Sequence, residues 1–341
     1  MQSEEQRAAR DAAIVDFVEK YAGGRDADLY ANMLKTVCRM SRDGIGRGEV
    51  KLLDRALAEL RYAFKVFVPY ENIPKVSIFG SSRTPEGHPE YRQAVRFAER
   101  MTESNWMVIT GAGDGIMKAG HGGAGKEASF GVAIRLPFEQ RTNDIIEGDK
   151  KLINFKYFFT RKLMFLKEAK AIVLFPGGFG TQDEGFEAMT LIQTGKAMLV
   201  PIVLVDAPGG TYWQHWRTYV KAELLHSGMI SAEDMHLIKL TDDVEEAVSE
   251  VLGFYRRYHS MRYVKDILVI RMESELPDAA LAHIQKEFSD IVKVGTIKRV
   301  SAFKEEADDV PDKPRLALQF DRRSHGRLRQ MINYMNAAEP S

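Results

Sequence analysis

The stretch Ala171-Ile-Val-Leu-Phe-Pro-Gly-Gly-Phe-Gly-Thr-Gln-Asp-Glu184 decides the fold. Its first five residues, Ala171 to Phe175, are an unbroken apolar run of the length of a strand buried on both faces. Pro176 and three glycines break the run, and a helix opens before Glu184. In an open parallel sheet, ligands bind beyond the carboxyl ends of the strands, where amides at helix amino termini face solvent. Gly177, Gly178 and Gly180 strip side chains from that turn and let a phosphate approach the main chain. Thr181-x-x-Glu184 is also the pattern of a capping box, with Thr as cap and Glu reaching back to the cap amide. A helix start needs one glycine at most, so three glycines and a proline favour the phosphate turn.

The arrangement of strand, bare turn and helix recurs upstream. Gly111-Ala-Gly-Asp-Gly115 follows the apolar run Trp106 to Thr110 and precedes Ile116-Met117. Gly111, Gly113 and Gly115 give the spacing G-x-G-x-G, which lacks the third glycine of the dinucleotide fingerprint. Gly80-Ser81-Ser82-Arg83 follows the run Val76 to Phe79 and offers hydroxyls and a guanidinium suited to phosphate or ribose. Three such turns on one sheet edge describe a nucleotide-sized cleft. Gly120 to Lys126 has the spacing of a triphosphate-binding loop, but Glu127 stands where a magnesium-binding Ser or Thr is required. Because this segment also follows a helical pattern, it reads as conformational punctuation.

Working outward, further apolar runs at Phe130 to Ile134, Met198 to Val205 and His236 to Leu240 alternate with amphipathic helical stretches. Such alternation predicts a doubly wound α/β domain with a parallel sheet, over residues 74–259. Pro201 implies that its strand begins late. Helices are expected from Tyr212 to about Ser227 and from Val244 to Tyr258, and Phe155 to Leu166 is an amphipathic helix carrying Arg161 and Lys162. Residues 1–73 form a helical lead-in, its helical spacing running from Ser3 to about Val68, with turns at Gly23, Gly24, Gly44 and Gly46. Residues 260–341 form a small α+β appendage: strand Asp266 to Met272, helix Pro277 to Phe288, strands Val292 to Phe303 and Pro314 to Phe320, helix His325 to Asn336. The acidic stretch Glu305 to Asp312 reads as a solvated loop.

Composition bounds the function. Basic and acidic side chains balance at 48 each, so no long-range positive field recruits nucleic acid polymers or an anionic membrane. An anionic ligand has to be held locally. The single Cys38 forms no internal disulfide, and Met1 to Arg10 is charged where a secretory signal needs an apolar run, which implies a cytoplasmic protein. No apolar stretch approaches the roughly 20 residues that span a bilayer. The histidines show no paired metal-ligand spacing, and no G-x-S-x-G elbow occurs. Neither metal-assisted nor serine or cysteine nucleophilic chemistry is supported, and no lysine lies in a context that suggests a Schiff base with pyridoxal phosphate.

Taken together, Phe79-Gly-Ser-Ser82, Gly111-x-Gly-x-Gly115, Arg161-Lys162 and Pro176-Gly-Gly-x-Gly-Thr-x-x-Glu184 resemble the Lonely Guy family of phosphoribohydrolases, long mislabelled as lysine decarboxylases. The resemblance covers about Lys75 to Gly253. It implies a Rossmann-like dimer, or a larger homo-oligomer, that hydrolyses nucleoside 5′-monophosphates to free base and ribose 5-phosphate without a cofactor or metal. By position it places the catalytic arginine on Arg161, the catalytic glutamate on Glu184 and the phosphate loop on Gly177 to Thr181. Gly80, Ser81, Ser82, Gly111, Gly113, Gly115 and Lys162 fall on the substrate side, with Glu187 in a supporting place one turn beyond Glu184. Arg161 either orients Glu184 or holds the anionic end of the ligand. The helical lead-in and the appendage resemble the longer bacterial architecture, for which purine and pyrimidine monophosphates are the expected substrates. The alternative is a non-catalytic nucleotide or molybdenum cofactor carrier of the same fold, which needs the glycine loop but not a carboxylate at the glycosidic bond.

Overall fold

The computed structural model describes residues 4–134, 142–306 and 309–339. The chain divides into two compact units, Met1–Arg61 and Tyr62–Ser341. The first holds helices α1 (Glu4–Ala22) and α2 (Ala27–Met40) and most of α3 (Arg47–Phe67), with turns at the glycine pairs that the sequence marks. Ser3, where the helical spacing begins, and the first three residues of the charged amino terminus lie outside the described residues.

The second unit is built on a seven-stranded sheet in the order β4-β3-β2-β1-β5-β6-β7. Its strands are β1 (Lys75–Phe79), β2 (Met107–Thr110), β3 (Ser129–Ile134), β4 (Leu152–Phe155), β5 (Ala171–Leu174), β6 (Ile202–Val205) and β7 (Ile238–Thr241). Every pairing is parallel, with Ile78 of β1 opposite Val173 of β5 and Val76 opposite Val108 of β2. The connecting helices are α4 (Pro89–Glu103), α5 (Ile116–Ala124), α6 (Phe158–Lys167), α7 (Phe179–Gln193), α8 (Tyr212–Tyr219) and α9 (Val244–Phe254). Val76, Ile78, Val108 and Val173 are fully buried among Phe97, Met101 and Val251, which explains why these strands read as continuous apolar runs. The fold is a Rossmann-like α/β sheet, as the alternation implies. Sharp local signals set the helix ends: Pro89 takes the first position of α4, and the Asp243 carboxylate caps α9 by accepting from the amides of Glu245 at 2.7 Å and Glu246 at 3.1 Å.

Strand β4 and strand β8 (Tyr258–Val264) are absent from the sequence reading. Each is an edge strand with half-exposed polar residues, so neither has the apolar run that marks the buried strands. The helix expected to reach Tyr258 therefore ends at Phe254, and the one expected to reach Ser227 ends as α8 at Tyr219, followed by a π-helical stretch, Val220–Leu225. The strand around Pro201 begins only at Ile202, after the proline. Gly120 to Lys126 lies in α5 and just beyond its end, not between a strand and a helix.

The remaining strands β9 (Ile267–Met272), β10 (Val292–Val300) and β11 (Arg315–Phe320) form with β8 an antiparallel sheet in the order β10-β11-β9-β8. Helices α10 (Asp278–Glu287) and α11 (His325–Ala337) accompany it. Asn336 on α11 clamps the passage from α9 into β8: its side-chain oxygen accepts from the amides of Arg257 and Tyr258, and its amide donates to Phe254 O. The acidic stretch is not simply solvated. Residues 307 and 308 lie outside the described ones, but Glu306 is 1% exposed and pairs with Arg271 of β9 at 2.7 Å and with Arg315 of β11 at 3.1 Å. Two strand arginines thus draw this carboxylate inward. Replacing Glu306 with Gln leaves the buried Arg315 guanidinium without its carboxylate and Arg271 with Asp309 at 2.8 Å, and denaturant unfolding at neutral pH is expected to show a loss of about 3 kcal/mol or more.

Candidate active site

Strand β1 lies between β2 and β5, so the connections leaving β1 and β5 diverge and open a crevice beyond their carboxyl ends. The three bare turns meet there. The Ser81 amide donates to Pro176 O at 3.1 Å, and the Ile116 amide donates to Ser81 O at 3.0 Å, which ties the turn after β1 to both others. Gly115 has φ 61°, and a Cβ there would strike the carbonyls of Ser81 and Ser82. A Cβ on Gly177 would collide with the Thr181 side chain and stand 2.9 Å from Ser81 N. These two glycines permit close packing of one turn on another, and neither faces the cavity. Gly80, Ser81, Ser82, Gly111, Gly113, Gly178, Gly180 and Thr181 do line it, in a cleft of about 1020 Å³.

Helix α7 begins at Phe179 with Gly178 as its cap residue, and no side chain caps it. Thr181 therefore sits inside the first turn, buried beneath Gly177, and the capping-box alternative does not apply. The amides of Phe179, Gly180 and Thr181 precede the first intrahelical bond, Gln182 N to Gly178 O, and make no hydrogen bond among the described residues. Tyr212 fixes the turn from outside, since its hydroxyl donates to Gly177 O and accepts from Gln182 Nε2. The result is a row of free donors at the positive end of a helix, open to the cleft.

Glu184 stands one turn further along α7, about 5.4 Å along the axis, and also lines the cleft. Burial pushes its carboxyl pKa up to about 7, against the pull of Lys162 and Arg161 and with the help of Glu187 and Asp183. Arg161 reaches the same cleft from α6. Its Nε donates to Val132 O at 2.8 Å, its guanidinium lies over the Phe165 ring at 5.0 Å, and one terminal nitrogen occupies the space that a side chain on Gly111 would need. Burial pulls its pKa down and Glu184 opposes that. The remaining guanidinium donors make no hydrogen bond among the described residues. Arg161 is thus anchored by one N–H and free to bind with the others.

Lys162 and Glu187 do not line the cleft. Lys162 Nζ pairs with Glu187 and with Asp183, the latter at 2.9 Å, and lies 3.9 Å from Glu184. These two residues act on Glu184 through charge.

The loop after β2 rests on a buried network. His121 Nε2 lies 3.0 Å from Thr110 Oγ1 and 3.1 Å from Phe130 O, and Nδ1 faces the Asn143 amide. A proton on Nε2 serves Phe130 O and leaves Nδ1 to accept from Asn143 Nδ2, which also donates to Gly113 O at 2.9 Å. Thr110 Oγ1 accepts from the Ala112 main-chain N–H, and the Asn143 main-chain N–H donates to Ala112 O. Together these bonds hold Ala112 at φ 63°, a conformation unfavourable for alanine, beside the cleft. Burial lowers the His121 pKa and keeps the ring neutral.

Sequence reasoning missed Tyr212, His121, Asn143 and the lining residues Met117, Asn154 and Phe158. Asn154 lies within the overlooked β4, and Tyr212 is 35 residues from the carbonyl it holds. Among the described residues no group of three or more His, Cys, Asp or Glu could hold a metal ion, and no lysine lines the cleft.

A family model described as "Possible lysine decarboxylase" matches residues 113–251. No curated protein matches the chain. Similar solved structures include the molybdenum cofactor carrier protein of Chlamydomonas reinhardtii, 19% identical over 53% of this chain and 96% of that one, with a TM-score of 0.38. The molybdenum cofactor binding protein of Rippkaea orientalis is 14% identical over 52% and 94%, with a TM-score of 0.36. DNA processing protein A of Helicobacter pylori is 13% identical over 53% and 82%, with a TM-score of 0.37. The matched residues 113–251 carry Arg161, Lys162 and the whole turn from Pro176 to Glu184, so that part of the chain is similar to the family described as possible lysine decarboxylase, the one that the sequence motifs resemble under its Lonely Guy name.

Proposed function

We propose that this protein hydrolyses the N-glycosidic bond of nucleoside 5′-monophosphates, releasing free base and ribose 5-phosphate. One observation carries the reading: the Glu184 carboxyl, its pKa raised to about 7, faces the cleft one helical turn from three unbonded amides. A phosphate on the amides of Phe179, Gly180 and Thr181, with the Ser81 and Ser82 hydroxyls and Arg83 beside it, puts the ribose across Glu184.

As the C1′–N bond breaks, its electron pair leaves with the base and positive charge builds on the ribose. The ionised Glu184 stabilises that charge and takes a proton from the water that attacks C1′. Returned to the base, this proton balances the reaction with water as the only co-reactant. Arg161 supplies a fixed cation whose free donors hold the ligand and favour the ionised form of Glu184. A carrier would need the amides but would have no use for a desolvated carboxyl beside them. The decarboxylase reading lacks a lysine in the cleft.

The proposal includes a homodimer or larger homo-oligomer acting in the cytoplasm. Phe179, 96% exposed at the cleft, is an apolar side chain that a second copy or a bound base would cover. No helix among the described residues is long and apolar enough to cross a membrane.

The first test is a chromatographic assay with a panel of nucleoside 5′-monophosphates and the matching nucleosides. Free base is expected from the monophosphates alone, and binding without release would mark a carrier instead. Glu184→Ala and Arg161→Ala are each expected to slow hydrolysis by roughly two orders of magnitude or more. Full activity in either variant removes that residue from the mechanism.

Because the ionised carboxylate does the work, kcat/KM should rise with pH through a midpoint near 7. Lys162→Met removes a cation that favours the carboxylate and moves the midpoint up. Glu187→Gln removes a neighbouring anion and moves it down. Shifts in the opposite sense in a pH–rate profile would exclude Glu184 as the titrating group. A Cβ on Gly178 meets nothing within 4 Å, so Gly178→Leu should fold normally while its side chain enters the phosphate site and raises KM. An unchanged KM would put the phosphate elsewhere.

A further inference from the structure

A second cavity of about 590 Å³ lies behind the cleft, between α6, α7 and the start of β8. It shares no lining residue with the first. Its walls are apolar, formed by side chains such as Leu163, Leu166, Leu191 and Met198, with Tyr258 closing it from the small antiparallel sheet. Its size is within the range of sites for small organic ligands.

The charge around this cavity is one-sided. Lys167 is paired with Glu168, and Glu187 is taken by Lys162. Lys170 and Lys196 are left over, since neither ammonium makes a hydrogen bond or ion pair among the described residues. The third polar group is His259, whose Nδ1 faces Ser260 Oγ at 2.8 Å and whose Nε2 stands 4.0 Å from Glu273. Lys170 reaches solvent at the rim, yet the surrounding apolar atoms desolvate its ammonium and draw its pKa down with no carboxylate to oppose them, and Lys170 in turn works against protonation of His259. An anion at this rim would relieve both effects, because it replaces the missing counter-charge. An uncharged ligand would gain nothing from the two rim cations, and a bare inorganic anion would leave the apolar wall wet.

We propose that this cavity is a second binding site, for a small organic anion that carries one carboxylate, sulfonate or phosphate on an aromatic or aliphatic body. The anionic group sits between Lys170 and Lys196, and the body lies along Leu163, Leu191 and Met198. The site stands independently of the reaction proposed for the cleft, because its residues and its ligand are separate.

The 341-residue chain is titrated with 8-anilinonaphthalene-1-sulfonate, an aromatic sulfonate whose fluorescence rises in apolar surroundings. Saturable binding is expected, displaced by dodecanoate and not by inorganic phosphate at the same concentration. Adenosine 5′-monophosphate, added to the Glu184→Gln variant so that it persists, should leave the probe bound. Lys170→Ala with Lys196→Ala, both on the exposed rim, should weaken the probe about tenfold or more. Ala197→Trp, which fills the cavity, should abolish binding. Displacement of the probe by the monophosphate would place it in the cleft and overturn the proposal. So would an affinity unchanged by both variants, or no saturable binding, the result expected if a second copy of the chain covers the opening.

Discussion

Strand β1 has hydrogen-bonded neighbours on both sides, and the chain leaves β1 and β5 toward opposite faces of the sheet. That divergence is the constraint on which the site depends. Two adjacent parallel strands whose following helices lie on opposite faces cannot have their carboxyl ends covered by either helix, so a crevice stays open between them. The crevice exposes backbone, and exposed backbone at a helix start presents donors. Gly115 and Gly177 let the three turns close on one another through the Ser81 amide and carbonyl, so that the cleft floor is rigid main chain. An anion bound there is held by groups that need no rearrangement, which suits a chain whose formal net charge is zero.

Onto that floor the structure places a carboxyl under opposing influences. Burial favours the neutral form of Glu184, while Lys162 and Arg161 favour the ion. Burial outweighs the two cations and lifts the group to about 7, near neutrality, where a general base is most useful. The neighbouring acids matter to this balance. Asp183 and Glu187 draw Lys162 to themselves, so its pull on Glu184 is exerted at 3.9 Å and not through a direct hydrogen bond. A lysine bonded squarely to Glu184 would hold the carboxylate ionised and weakly basic.

The sheet was legible because its central strands are buried on both faces and so carry apolar runs with no polar interruption. Strands β4 and β8 are edges, and Asn154 or His259 and Ser260 interrupt their runs because one side meets solvent. The turns were legible for a related reason: a bare loop before a helix is a local feature, written in adjacent residues. What stayed hidden depends on contacts between distant segments. Nothing near Tyr212 announces that its hydroxyl will hold Gly177 O, nor does the sequence around His121 reveal that Asn143 links it to Gly113 O. Glu306 is the sharpest case. An acidic run is solvated by default, and only the arrival of Arg271 and Arg315 from two strands makes burial of one member favourable.

The cations Arg161 and Lys162 are adjacent on α6, yet the fold gives them tasks that their chemistry keeps apart. A guanidinium is planar and carries several donors, so it can spend one on Val132 O, stack on Phe165 and still present the others to a ligand in a fixed orientation. It also stays charged when buried, which the wall of the cleft requires. An ammonium is a point charge on a flexible stem, suited to serving three carboxylates at once from behind the helix. Exchanging the two would leave the cleft with a cation that burial can neutralise, and the acidic cluster with a fork whose geometry fits one carboxylate better than three. The order Arg-Lys, rather than the presence of two basic residues, is what the site requires of α6.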